Sequence, residues 1–249
     1  MAVINKYFEA RNDDKVCIID DTYKNLALKE VITFESYDII VKWQESEYSS
    51  TALNTLFTGV GHVRVNVAPF NSKNLMAISC DVADLSFATY VHDDILTIYI
   101  IRKGKGDDHN KKDAQYVAEH TKILRYVPSE QIMADDHYGL QVFNADGNIV
   151  FNSSNRYLKV VDVISQDIDD LSDIDRSYAS DIAVVPLSCR YTRSYNPQRI
   201  TFWQHFFTIT NHRRLVMKPE IIGVLAPQGM KVLTGYFYNT NLLVIKKDI

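Results

Sequence analysis

Apolar and polar residues alternate along much of this chain, in runs too short for long helices. His62 to Ala68, HVRVNVA, is the clearest case. Val63, Val65 and Val67 fall on one side and His62, Arg64 and Asn66 on the other, the period of a strand with one buried face. Ile95 to Arg102, ILTIYIIR, is almost continuously apolar and reads as a buried strand. Val31–Gln44, Leu75–Cys80, Asp84–Val91, a part of Asp181–Tyr195, Arg199–Thr210, Leu215–Leu225 and Met230–Lys246 read as further strands. The last of these is expected to turn at Asn239-Thr240-Asn241, with other turns at His92-Asp93-Asp94 and Asn211-His212-Arg213-Arg214. Thr51–Phe57 suits a short helical turn. Ala114–Val127 is ambiguous: Tyr116, Val117, His120, Ile123, Leu124 and Val127 keep helical spacing, yet Thr121–Tyr126 also suits a strand. Two polar stretches, Gly104–Asp113 and the acidic Gln166–Asp175, are expected to be loops.

Tyr138 to Ile164 reads as strand, turn, strand, polar break and strand. Asn144-Ala145-Asp146-Gly147 supplies the turn, because Asn and Asp tolerate left-handed backbone and Gly adopts it freely. Leu140, Val142, Ile149 and Phe151 flank it, as in a half-buried hairpin. A shift of 132 positions lays Asn12–Ile32 on Asn144–Ile164 without a gap, with Asn12, Asp14, Leu26, Val31 and Ile32 matched by identity. Met76–Cys80 resembles Val185–Cys189, and Tyr99–Lys103 resembles Leu243–Lys247, at other shifts. The expectation is a mainly β protein of two related sandwich or jelly-roll-like domains, 1–131 and 132–249, arising from an internal duplication. Short strands at spacings of roughly ten residues point the same way.

Composition sharpens this. Only 9 Gly and 6 Pro stand against 15 Tyr and 11 Phe, which favours strands. The net charge of −4 argues against a general nucleic-acid binder, which needs a basic surface to displace phosphate counterions. Cys17, Cys80 and Cys189 form no CxxC pair and no zinc spacing. Such cysteines suit a reducing cytoplasm, each acting as a small buried apolar group. Met1 to Ala10 has no apolar core of signal-peptide length, and no run approaches the ~20 apolar residues of a membrane span. Synthesis and folding in the cytoplasm, without membrane insertion, are therefore expected.

No catalytic, cofactor-binding or metal-ligating residue is assigned. Asp167, Asp169, Asp170, Asp173 and Asp175 offer hard oxygens that would suit calcium, but lack the Gly and terminal Glu of an EF-hand loop, so a solvated loop is expected. His62, His92, His109, His120, His137, His205 and His212 form neither HExxH nor HxH, and no nucleotide loop or GxSxG elbow occurs. The carboxylate pairs Asp20-Asp21, Asp93-Asp94, Asp107-Asp108 and Asp135-Asp136 sit at expected turns, where Asp is favoured anyway. Tyr191, Tyr195, Trp203, Phe206, Phe207, Tyr236, Phe237 and Tyr238 could stack on sugars or anchor an interface. Filling a β core is the expected role for most of them. Tyr236-Phe237-Tyr238 must alternate sides of a strand, so one ring is expected to face outward.

Gly139, Leu140, Val142, Asn144, Gly147, Val150 and Phe151 carry a resemblance. The stretch YGLQVFNADGNIVF is similar to the opening hairpin of a family of small tail proteins of unknown function from tailed bacteriophages. Asn12–Leu28 carries a fainter copy, with Lys15 in place of the Gly. The resemblance implies a structural component of a virion, at the tail, tail tip or fibre attachment; with no catalytic motif in the chain, an enzyme is not expected. It implies other tail proteins as partners, a symmetric oligomer on the particle, and a host receptor as a further candidate. The alternative is a receptor- or glycan-binding module at the tail tip.

Overall fold

The computed structural model describes residues 9–11, 17–20, 25–34, 40–42, 62–67, 74–92, 95–102, 111–128, 132, 139–167, 172–188, 191–196, 199–225 and 240–247. In chain order the first part holds β1 (Glu9–Arg11), β2 (Cys17–Asp20), β3 (Leu26–Thr33), β4 (Ile40–Lys42), β5 (His62–Val67), β6 (Leu75–Cys80), β7 (Leu85–His92), β8 (Ile95–Arg102), α1 (Lys111–His120) and β9 (Thr121–Pro128). The second part holds β10 (Gln141–Phe143), β11 (Ile149–Asn152), β12 (Val160–Gln166), β13 (Ile174–Ser177), β14 (Ile182–Ser188), β15 (Tyr191–Asn196), β16 (Arg199–Thr210), β17 (Arg214–Leu225) and β18 (Thr240–Lys246). The protein is mainly β, as expected.

Among the described residues, β1–β2 and β10–β11 are separate antiparallel hairpins. A six-stranded sheet runs β12-β18-β14-β6-β9-β3, and an eight-stranded sheet contains β13-β17-β16-β7-β8-β5-β4, with β15 also paired to β16. Residues 1–131 and 132–249 each supply strands to both large sheets. The two sets meet antiparallel where Ile78 faces Val184 and where Phe87 faces Phe207.

The six-stranded sheet cannot lie flat. Laid flat, its outer strands would be about 24 Å apart, at ~4.8 Å per neighbour. Yet the Leu158 N–H donates to the Leu26 carbonyl of β3 at 2.9 Å, and the Leu28 N–H donates to the Arg156 carbonyl at 2.7 Å. Ala27 thus faces Tyr157 in an antiparallel pair. Two residues beyond Leu158, Val160 pairs with Ile245 of β18, on the opposite flank. Two residues span at most ~7 Å, so the sheet curls until β3 meets the residues that lead into β12, and it closes as a barrel.

Alternation along the barrel strands then makes two cores. Ala77, Leu124, Tyr126, Ala183, Val185 and Ile245 point inward, joined by Leu26, Leu28, Leu75, Leu158 and Leu243. Met76, Ile78, Ile123, Val184, Leu242 and Val244 point outward and pack on the eight-stranded sheet through Leu85, Phe87, Ile98, Ile100, Phe207, Ile209, Leu215 and Met217. Val117 of α1 joins this second core. With both faces covered, β6 is buried at every position from Met76 to Cys80.

Most expected strands stand where the pattern put them: β5, β6, β7, β8, β16 and β17 agree within a residue or two. Several details differ. The ambiguous Ala114–Val127 divides, helix to His120 and strand from Thr121, so each period governs one part. The polar stretch Gly104–Asp113 is not all loop, because α1 begins at Lys111. Charged residues need no buried partner on an exposed helix face, so an absence of apolar residues does not exclude helix. Likewise β12 runs to Gln166 and β13 starts at Ile174, so both ends of the acidic stretch are strand. Thr240 and Asn241 open β18 and do not form a turn. Tyr99–Lys103 and Leu243–Lys247, matched by sequence, begin in strands of different sheets. The stretch Thr51–Phe57 lies outside the described residues.

Candidate functional site

The second hairpin is built by its polar residues. The Asn144 side-chain oxygen accepts from the N–H groups of Asp146 at 3.1 Å and Asn148 at 2.9 Å. Gly147 has φ +82° with open space where a side chain would stand, so its need is for left-handed backbone alone. Gly139 is needed twice over: φ is +130°, and a Cβ would meet the Ser153 Oγ at 2.5 Å. That hydroxyl accepts from the Leu140 N–H at 2.9 Å. After the hairpin, Phe151 stacks on Tyr157 at 4.9 Å, and the Tyr157 hydroxyl accepts from the Asn152 N–H at 2.6 Å. The Asn25 side-chain amide reaches the Val150 carbonyl at 3.2 Å, tying the hairpin to the chain before β3.

Val142 and Val150 are buried, Ile149 and Phe151 are half-buried, and Leu140 and Phe143 are exposed at 55% and 51%. Leu140 therefore departs from the half-buried expectation. The register slips between Val142 and Phe143, and a bulge of this kind re-aims side chains. Val160, Val161 and Val163 of β12 are also exposed, Val163 at 60%. Val31 of β3 and Leu187 of β14 are the other large exposed apolar residues described. Two strands leave the barrel seam here, and their apolar side chains lose cover. The sequence reading did not single out these valines. A shift of 132 positions lays Val31 on Val163, and both are exposed.

Two carboxylates of the acidic stretch face side-chain cations, and two more flank it in the same way. Lys218 Nζ lies 2.9 Å from Asp173. Arg214 Nε donates to Asp175 at 2.7 Å, with a second contact from its Nη2. Asp162 accepts from Arg176 at 2.7 Å and from the Tyr178 hydroxyl at 2.8 Å. Burial pushes the Asp162 carboxyl up, but these two donors outweigh it and hold it below the usual carboxylate range. The Arg214 bond holds Asp175 low, and Arg213, at 2.8 Å, does the same for Asp181. Carboxylates facing arginine and lysine are poorly placed to ligate calcium. Asp169 and Asp170 lie outside the described residues. No group of three or more His, Cys, Asp or Glu placed to hold a metal occurs among the described residues.

The remaining candidates scatter. His205 is buried with Nδ1 3.0 Å from the Thr240 hydroxyl, and His120 pairs with Asp81 at 2.7 Å beside Tyr116. His62, His92 and His212 fall in β5, at the end of β7 and in the β16–β17 turn. His109 and His137, and the pairs Asp93-Asp94, Asp107-Asp108 and Asp135-Asp136, lie outside the described residues, as does Asp21. Phe206 and Phe207 are buried, so the core role holds for them. The side chains of Tyr191, Tyr195 and Trp203 lie outside the described ones, as do Tyr236, Phe237 and Tyr238. Cys80 is a buried free thiol that donates to the Val82 carbonyl at 3.3 Å, and burial pushes its pKa up to about 11. Buried and protonated, it is a packing group and not a nucleophile. The side chain of Cys17, and Cys189, lie outside the described ones. Comparison with known families, curated proteins and solved structures found no match.

Proposed function

We propose that the chain is a structural component of a bacteriophage virion, a tail, tail-tip or fibre-attachment protein assembled as a symmetric oligomer. The resemblance of Gly139–Phe151 to small tail proteins supplies the setting. The observation that carries the mechanism is the exposed apolar set on two successive stretches of the chain: Leu140 and Phe143 on the second hairpin, and Val160, Val161 and Val163 on β12. Exposed apolar groups gathered in one part of a surface mark docking sites. Two related β units, 1–131 and 132–249, would place the same hairpin twice. In support, Ala10/Arg11 and Val142/Phe143 carry the same register slip, 132 positions apart.

Light scattering on a sizing column tests this. A discrete trimer or hexamer is expected, dissociated by the double substitution Leu140→Lys/Phe143→Lys without loss of β structure. A monomer at every concentration, unchanged by the double substitution, would overturn self-assembly through this surface.

A further inference from the structure

We infer that the protein is a dimer of two like units closed within one chain, its halves related by a twofold axis through the barrel. The arrangement rests on the reading of two related units and is independent of the virion assignment.

Strand registers carry it. β1–β2 pairs Glu9 with Asp20, Ala10 with Ile19 and Arg11 with Cys17. β10–β11 pairs Gln141 with Asn152, Val142 with Phe151 and Phe143 with Ile149. These are the same pairs moved by 132 positions, bulge included. β3 slips against β9 between Leu28 and Glu30, and β12 slips against β18 between Val160 and Asp162. That is again 132 positions, at a place where no turn chemistry forces the choice. Any two Asn/Asp hairpins look alike. A slip within a separate, paired strand does not follow from turn residues.

Burial repeats with register. Leu26 and Leu158 both pack in the barrel interior. Ile32 and Ile164 both meet the outer core, and Val31 and Val163 are both exposed. Carried across to the next strands, the register sets Thr121 with Thr240, Ile123 with Leu242 and Leu124 with Leu243. The two Thr are fully buried, and the other pairs divide identically between the two cores. Strand order agrees too. From the barrel's middle outward, one half reads β6-β9-β3 and the other β14-β18-β12.

The halves then meet as twofold partners must, like against like and antiparallel. β6 meets β14 at Ile78 and Val184, and β7 meets β16 at Phe87 and Phe207, whose rings stack at 5.7 Å. At the third junction Leu26 and Leu158, equivalent in the repeat, are bonded directly to each other. Each half supplies three of the six barrel strands, so neither closes a barrel alone.

A protease site placed between Pro128 and Gly139 of the full chain tests this. After cleavage the halves are expected to co-elute and to melt in one transition. Its midpoint should fall with dilution, by about 3–5 °C per tenfold, because folding has become bimolecular. Halves that separate while each keeps its β spectrum would overturn the twofold closure and leave two related but independent domains. A circular permutant, residues 139–249 joined by a flexible linker to residues 1–128, adds a second readout. A twofold makes the two connections equivalent, so the permutant should keep the parent's cooperative melting. A permutant that misfolds, together with cleaved halves that separate, would exclude the axis.

Discussion

Two seams join the halves of the barrel, on opposite sides, and they are built differently. At the seam of β6 and β14, Ala77, Ile78, Val184 and Val185 are all fully buried. This seam has the barrel interior on one face and the eight-stranded sheet on the other. At the seam of β3 with residues 156–158, two backbone hydrogen bonds and the Leu26 and Leu158 side chains make the join. Just beyond it, Val31 and Val163 stand in solvent. The same sequence pattern thus gives a core seam where another sheet covers it and a surface seam where none does. Covering layers, and not strand propensity, decide which apolar residue is stabilising and which is left as contact surface.

The largest effect is expected behind the first seam. Phe207→Ala should cost about 3–5 kcal/mol in a urea titration, and a double-mutant cycle with Phe87→Ala should return a coupling of about 0.5–1.5 kcal/mol. An additive pair would mean that the rings do not stack across the junction. A matched change then compares the seams. Val184→Thr keeps shape but buries a hydroxyl, and should cost about 1–3 kcal/mol. Val163→Thr, at the surface seam, should stay within about 0.5 kcal/mol. Equal costs would erase the distinction between the seams.

Between these lies the ion pair on β12. The Asp162 carboxyl is held low by Arg176 and Tyr178 in the folded state. Its contribution is therefore present above the ordinary carboxylate range, roughly pH 4, and lost as pH falls through the lower folded value. Asp162→Asn should cost about 1 kcal/mol or less at pH 7, since Arg176 is half exposed. It should cost progressively less on acidification. A cost that is constant from pH 7 to pH 2 would show that the charge is not involved.

Much of this architecture was legible in the residues, and the reason is local. Strict alternation in HVRVNVA and the apolar run ILTIYIIR report directly on burial, so β5 and β8 fall where expected. The matches Asn12/Asn144 and Leu26/Leu158 were legible as identities at a shift of 132 positions, because turn chemistry and core positions restrict residue type. Closure of the barrel was not legible, since it depends on Leu158 meeting Leu26, a contact that no periodicity encodes. The exposed valines were missed for the same reason: Val163 has the pattern of a core residue and lacks only a layer above it. The acidic stretch suggested a cation by composition, and the Arg214 and Lys218 that answer Asp175 and Asp173 lie some forty residues away in sequence.

The most direct test joins the surface seam covalently. Ala27 and Tyr157 face each other as a pair flanked by, not sharing, the two hydrogen bonds, the closer type of cross-strand pair and within reach of a disulfide. With the native cysteines replaced, Ala27→Cys/Tyr157→Cys should oxidise to an intramolecular disulfide in the folded protein and raise its melting temperature. Two thiols that stay free under oxidant in a folded double variant would contradict closure of the barrel.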